Sequence, residues 1–249
     1  MFETLKSAFR VKEMRRKLLY LLAMIFVIRI GSQLPIPGVD GSVFKQWFKS
    51  NTGDAFNFFD AFTGGSFESM SVFALNITPY ITSSIIIQLL TIAIPALEEM
   101  HRDGEEGRKK MTAITRYVTV GLALFESIAM AIGFGRQGMI PNMNFFKGVV
   151  VVACLTAGSA MLMWLGERIT DRGIGNGISM ILFANIISGI PGMIGTLFSM
   201  VWWQIAIVLV GMVALILFII FINDAERRIP IQYAKRVVGR KMYGGQASY

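Results

Sequence analysis

Residues 173–223 read GIGNGISMILFANIISGIPGMIGTLFSMVWWQIAIVLVGMVALILFIIFIN, 51 consecutive positions without a charged side chain. A soluble core has no use for such a run, whereas a helix crossing the hydrocarbon of a bilayer takes about 20 apolar residues. The run is therefore expected to hold two crossings, with Gly189, Ile190, Pro191 and Gly192 as the break, because adjacent glycine and proline end one helix and start another. Outward from it, uncharged runs recur over 69–97 (29 residues) and 148–166 (19 residues). Two more apolar stretches each carry one charge, 18–39 with Arg29 and 117–135 with Glu126. The expectation is an all-α polytopic transmembrane bundle of six crossings. Composition agrees, at 54% hydrophobic and 16% charged over 249 residues, with mean hydropathy +0.57.

Orientation follows from the loops, since Lys and Arg resist translocation and stay cytoplasmic. Residues 1–17 hold six, 98–116 five, 167–172 two and 223–249 six. The alternate loops hold only Lys45 and Lys49, then Arg136 and Lys147, and none near Pro191. Both ends of the chain are thus expected in the cytoplasm. This asymmetry accounts for most of the net charge of +8 and leaves the tail as a basic patch. The start resembles a signal peptide only in its basic residues, since the apolar run continues past Arg29 without a small-residue cleavage site, and a retained first span is expected.

Residues 2–18 place Phe2, Leu5, Phe9 and Met14 at helical spacing among cations, as in a helix lying on a membrane surface. Pro35 and Pro37 end the first membrane helix. Residues 58–72 carry Asp60, Glu68, Gly64, Gly65 and several hydroxyls, too polar for lipid and too apolar for a solvated loop. Such a segment lies at membrane depth only where it is buried in protein or lines a cavity, the alternative being an amphipathic loop on the outer surface. A new helix is expected behind it, with Asn76 as N-cap and Pro79 in the first turn, running to Ile94. The glycines of 173–177 look like a phosphate-binding loop only superficially, lacking a preceding strand and a following GK[ST]; a tight turn is expected. Alternating residues and Gly239 in the tail read as a hairpin-like projection.

Catalysis finds no candidates: no Ser/His/Asp set, metal-ligand spacing or paired membrane carboxylates is present, so neither an enzyme nor a cofactor is expected. Cys154, the one cysteine, lies within a span and His101 in a charged loop. Glu126, inside a span, is a functional residue by default, for gating or as satisfied packing, and Arg29 can snorkel to the interface.

The runs Arg29-Ile30-Gly31-Ser32, Pro35-Ile36-Pro37-Gly38, Ile77-Thr78-Pro79-Tyr80-Ile81, Ile85-Ile86-Ile87-Gln88-Leu89-Leu90, Met163-Trp164-Leu165-Gly166-Glu167, Arg172-Gly173-Ile174-Gly175-Asn176-Gly177-Ile178-Ser179 and Tyr233-Ala234-Lys235-Arg236 are distinctive in combination. With these in order, the chain resembles the SecY family of bacterial protein-conducting channels over its whole length. The resemblance implies ten helices in two halves clamped around a pore, of which this chain covers six and the following loop. It divides the chain into an amphipathic N-terminus (1–17), a five-helix half (18–194) containing a plug (58–72), a sixth helix (195–222) and a basic cytoplasmic loop (223–249). It implies a pore ring at Ile77, Ile81, Ile178 and Leu182, the last commonly isoleucine in the family; both pairs are spaced i, i+4, which presents two branched aliphatics on one helix face. The plug would include Phe58, Phe62, Gly64, Gly65 and Phe67, and the lateral gate Thr82, Gln88 and Glu126, for which interhelical packing is the plain alternative. Arg227, Arg228, Lys235, Arg236, Arg240 and Lys241 would dock a ribosome or the SecA motor. The other implied partners are SecE and SecG, signal sequences and nascent chains, and lipid, in the inner membrane of a bacterium. A small-solute secondary transporter and a structural anchor are the competing readings. The transporter would need polar ligands at the midplane, where these positions are aliphatic.

Overall fold

The computed structural model describes residues 10–51, 60–140, 143–198, 200–226, 236–238 and 241–243. Its elements are α1 (Lys12–Gly31), α2 (Gly41–Asn51), α3 (Thr78–Ala93), α4 (Pro95–Arg102), α5 (Gly104–Arg136), α6 (Phe145–Arg172), α7 (Gly177–Ser188), α8 (Ile190–Phe198), α9 (Trp202–Asn223), β1 (Arg236–Val238) and β2 (Lys241–Tyr243). Residues 1–191 form one compact unit and 192–249 a second.

Among the described residues, α5, α6 and α9 are each long and apolar enough to cross a membrane. The α3–α4 pair, bent by 103° where Pro95 restarts the helix, makes a fourth if counted as one span. The apolar part of α1 begins inside a continuous helix whose first turns hold Lys12, Arg15, Arg16 and Lys17, so the expected surface helix does not extend past Val11; its residues Phe2, Leu5 and Phe9 lie outside the described residues. The 51-residue run contains three helices where two were expected. Gly189 does cap α7, but Pro191 sits in the first turn of α8, where a missing N–H costs nothing, and a second interruption precedes α9.

Small residues let the helices of the first unit approach closely. On α5, Ala123, Ser127 and Ala131 are buried. On α6, a Cβ at Gly158 would overlap the Val72 carbonyl. Hydroxyl groups add ties: Ser83 Oγ donates to the Thr115 carbonyl (2.9 Å), Thr119 Oγ1 to Ser83 Oγ (2.9 Å), and Ser127 Oγ meets Thr156 Oγ1 at 3.1 Å. This is how membrane helices associate when lipid removes the hydrophobic drive between them.

Two hydrophobic clusters result. An aromatic one gathers Phe44, Phe67 and Phe134, with edge contacts of 4.9–6.1 Å between ring centroids, around Ile36, Met70, Met139 and Leu155. An aliphatic one joins Leu21 and Ile28 of α1, Phe73 and Ile77, Leu162, Leu165 and Ile169 of α6, and Ile181 of α7. Asp40 starts α2 against the aromatic cluster, accepting from the Ser42 hydroxyl (2.6 Å) and Ser42 N–H (3.0 Å), which holds its carboxyl below the usual range.

In the second unit, α9 is apolar on every face and carries no buried residue, as suits a helix dressed for lipid or neighbouring helices. The expected hairpin is present: β1 pairs antiparallel with β2, Val237 opposite Met242.

Candidate functional site

The segment before α3 folds back on itself. Asp60 Oδ1 accepts from the Glu68 N–H (2.9 Å) and the Asp60 carbonyl from Thr63 Oγ1 (3.0 Å) and the Gly65 N–H (3.2 Å). The hydroxyls of Ser69 and Ser71 turn inward onto the Gly65 and Ser66 carbonyls. The polarity that made this stretch unfit for lipid is thus consumed internally, which allows it to sit inside the bundle.

Its two ends are held differently. From Ser66 onward it is part of the core: Phe67 and Met70 lie in the aromatic cluster, and residues 70–72 pair with the extended chain after α1 through Ile36 N–H to Met70 O (3.1 Å) and Val72 N–H to Leu34 O (3.0 Å). Residues 60–65 are held by side chains from elsewhere. Arg29 Nη1 of α1 donates to the Gly64 carbonyl (3.0 Å), and Asn76 Nδ2 to the Phe62 carbonyl (2.8 Å). Asn185 Nδ2 of α7 in turn donates to Asn76 Oδ1 (3.2 Å).

These contacts correct one expectation. Asn76 is not the N-cap of α3; that position is Ile77, with no side-chain cap bond. Asn76 instead adopts φ +52°, a left-handed conformation asparagine tolerates better than most residues, and spends its amide on Phe62.

Ile77, Ile81, Ile178 and Leu182 meet in or against the aliphatic cluster, so the four expected ring positions converge although 101 residues separate Ile77 from Ile178. They are not equivalent. Ile77 is fully buried, while Ile81, Ile178 and Leu182 line a cavity of ≈ 590 Å³ whose wall also includes Tyr80, Ser84 and Gln88. Among its lining residues, Arg116 Nε donates to Glu167 Oε1 at 2.8 Å, an ion pair across 51 positions. α7 presents Ile178 because Asn176 caps it, accepting from the Ile178 and Ser179 N–H groups, and because Gly177 packs on the Gly166 carbonyl, where a Cβ would overlap. Gly175, at φ +71°, makes the turn before it.

Other sequence-derived residues do not assemble. Thr82 is exposed, Glu126 is half-buried on α5, and among the described residues no hydrogen bond joins them to each other or to Gln88. Ser83, one position on, makes the α3–α5 contact. Phe62 is 37% exposed, Gly64 and Gly65 take φ of +64° and +83°, and Phe67 is a core anchor. Arg236 and Lys241 lie on β1 and β2; Phe58, Arg227, Arg228, Lys235 and Arg240 lie outside the described residues. Sequence reasoning missed Asn185, although an amide in the middle of an uncharged run was a signal of its own.

The SecY family model matches residues 71–249. Similar proteins include the protein translocase subunit SecY of Pseudomonas aeruginosa, 43% identical over 96% of this chain and 55% of that protein. That of Escherichia coli K12 is 42% identical over 95% and 56%, and that of Streptomyces galbus 40% over 100% and 61%. The chain thus spans about 55–61% of the length of these relatives. The fold is similar to that of a solved protein conducting channel (TM-score 0.56, 19% identity, 94% of this chain and 52% of that one). It is equally similar to Sec61 in the canine ribosome-channel complex from the endoplasmic reticulum (0.56, 19%, 93% and 53%).

Proposed function

The chain belongs to the SecY family, and from that premise we propose that it forms the N-terminal part of the pore subunit of a Sec protein translocase, conducting unfolded polypeptides across the membrane and releasing apolar segments sideways into lipid. The observation that carries this reading is the convergence at one place of an aliphatic cluster, an open cavity lined by part of it and a self-bonded loop tied to the residue before Ile77. Ile81, Ile178 and Leu182 face the cavity, and residues 60–65 are tied to Asn76, directly before Ile77. Branched aliphatics with no polar group exclude water and ions from a narrow gap and offer a passing chain nothing to bind.

In this reading residues 60–65 are the plug, and residues 66–72 its hinge, fixed in the aromatic cluster. The cavity is the cytoplasmic funnel, and both ends of the chain are cytoplasmic. Thr82, Gln88 and Glu126 face the lateral gate from α3 and α5. The basic tail, with Arg236 and Lys241 on its hairpin, docks a ribosome or the SecA motor through charge-assisted contacts to phosphate or carboxylate oxygens. SecE and SecG complete the assembly in a bacterial inner membrane.

Deleting residues 60–65 from the full-length subunit in membrane vesicles should raise its resting ion leak. Conductance equal to that of the undeleted protein would sink the plug.

A further inference from the structure

Two side chains from different parts of the fold reach residues 60–65, ending on backbone carbonyls two residues apart, and a third side chain braces one of them. Arg29 reaches Gly64 O directly; Asn185 reaches Phe62 O through Asn76. Asn76 and Asn185 are each 2% exposed, so the amide pair is sealed from water. Ser188 Oγ donates to the Asn185 carbonyl at 2.6 Å, and a Cβ on Gly64 would come within 2.9 Å of both Arg29 Nη1 and Ser188 Oγ.

We propose that Arg29, Asn76 and Asn185 are a latch that positions the plug, Asn185 acting through Asn76. The inference rests on the reading of residues 60–65 as a plug. Because the latch grips main-chain oxygens, it holds the segment whatever side chains the segment carries, except at Gly64, where the grip itself leaves no room. The device is built for release. Asn185 Oδ1 is buried with no hydrogen-bond partner among the described residues, and Asn76 sits at a left-handed φ, so the latched state carries a cost at both asparagines. A polypeptide or a shift of α7 that parts the two asparagines would undo the Phe62 tie without touching the plug. The ring and the latch share α7, which carries Ile178, Leu182 and Asn185 on successive turns, so widening the ring draws on the element that holds the plug.

The test uses the full-length subunit in membrane vesicles, with resting ion leak per molecule as readout. Asn76→Gly keeps the left-handed backbone and removes the relay; Asn185→Ala removes its far end; Gly64→Ala crowds the grip. Each should raise the leak about 3- to 10-fold, the effect of losing one buried hydrogen bond. The Asn76→Gly, Asn185→Ala double variant should leak no more than the stronger single, since both break one chain. A cysteine in place of buried Thr63 (Thr63→Cys) should react faster with a water-soluble maleimide in each latch variant, a readout that also serves variants that accumulate poorly. If the 60–65 deletion leaks while the three single variants match wild type in leak and labelling, the latch is wrong and the plug stands. Multiplying effects in the double variant likewise overturn the relay. If the deletion itself does not leak, the plug reading falls, and the latch with it.

Discussion

The aromatic and the aliphatic clusters share a border at Val72, yet one is closed and the other is cut open. Phe44, Met70 and Leu155 are fully enclosed, and the three phenylalanines lock edge to face. On the aliphatic side Leu21, Ile77 and Ile181 are buried too, but Ile81, Ile178 and Leu182 are only partly buried and line the cavity. Interlocked rings fix a geometry, while branched aliphatics facing space can part and close without losing a specific partner. The difference sets a wall locked by its packing beside a wall with open space in front of it.

Five substitutions can break or sharpen that contrast in the full-length subunit. Phe44→Ala, at a site with no exposure, should lose about 3–5 kcal/mol of stability by leaving a cavity among rings; a loss under about 1 kcal/mol in detergent unfolding would deny that packing locks this wall. Gly158→Ala pushes α6 off the Val72 carbonyl at the border of the two clusters and should cost about 1–3 kcal/mol. The control, Gly121→Ala, enters open space in a helix interior and should be neutral or stabilising by up to about 1 kcal/mol; the same sign at both sites would dissolve the argument from close packing.

Ile81→Ala should cost roughly 1–2 kcal/mol, less than at a buried aliphatic, since the side chain is only partly buried. Its larger effect should be a rise in resting ion leak, and stability loss without added leak would return Ile81 to ordinary packing. The smallest effect concerns Asp40. Its folded pKa is depressed by the Ser42 hydrogen bonds, so its contribution is present above the ordinary carboxylate range near about 4 and disappears as pH falls through the lower folded value. Asp40→Asn should therefore flatten the acid limb of a melting-temperature profile slightly, and coincident limbs for both proteins would remove the cap from the account.

Much of this was legible beforehand, for physical reasons that differ by residue. The apolar runs at 117–135, 148–166 and within 173–223 announced α5, α6 and α9, because a bilayer demands length and apolarity, both written locally. The odd polarity of 58–72 marked a separate element. Its division into an anchored half and a tied half was not legible, because Phe67 meets Phe44 and Phe134 only after the chain has folded. Asn76 shows the limit most clearly. Local rules assigned it to capping, and the fold gave it φ +52° and two partners, one 14 and one 109 residues away.

Sequence by itself determined that this is a membrane helical bundle of the SecY family, where apolar helices run and which short motifs recur, since those follow from periodicity, length and residue order. Tertiary structure alone decided that Ile77, Ile81, Ile178 and Leu182 converge, that Arg116 meets Glu167, and that Arg29 and Asn76, the latter braced by Asn185, reach residues 60–65. Such contacts join positions tens of residues apart, and their energy exists only when helices bring the groups within a few ångströms in a medium without water to compete.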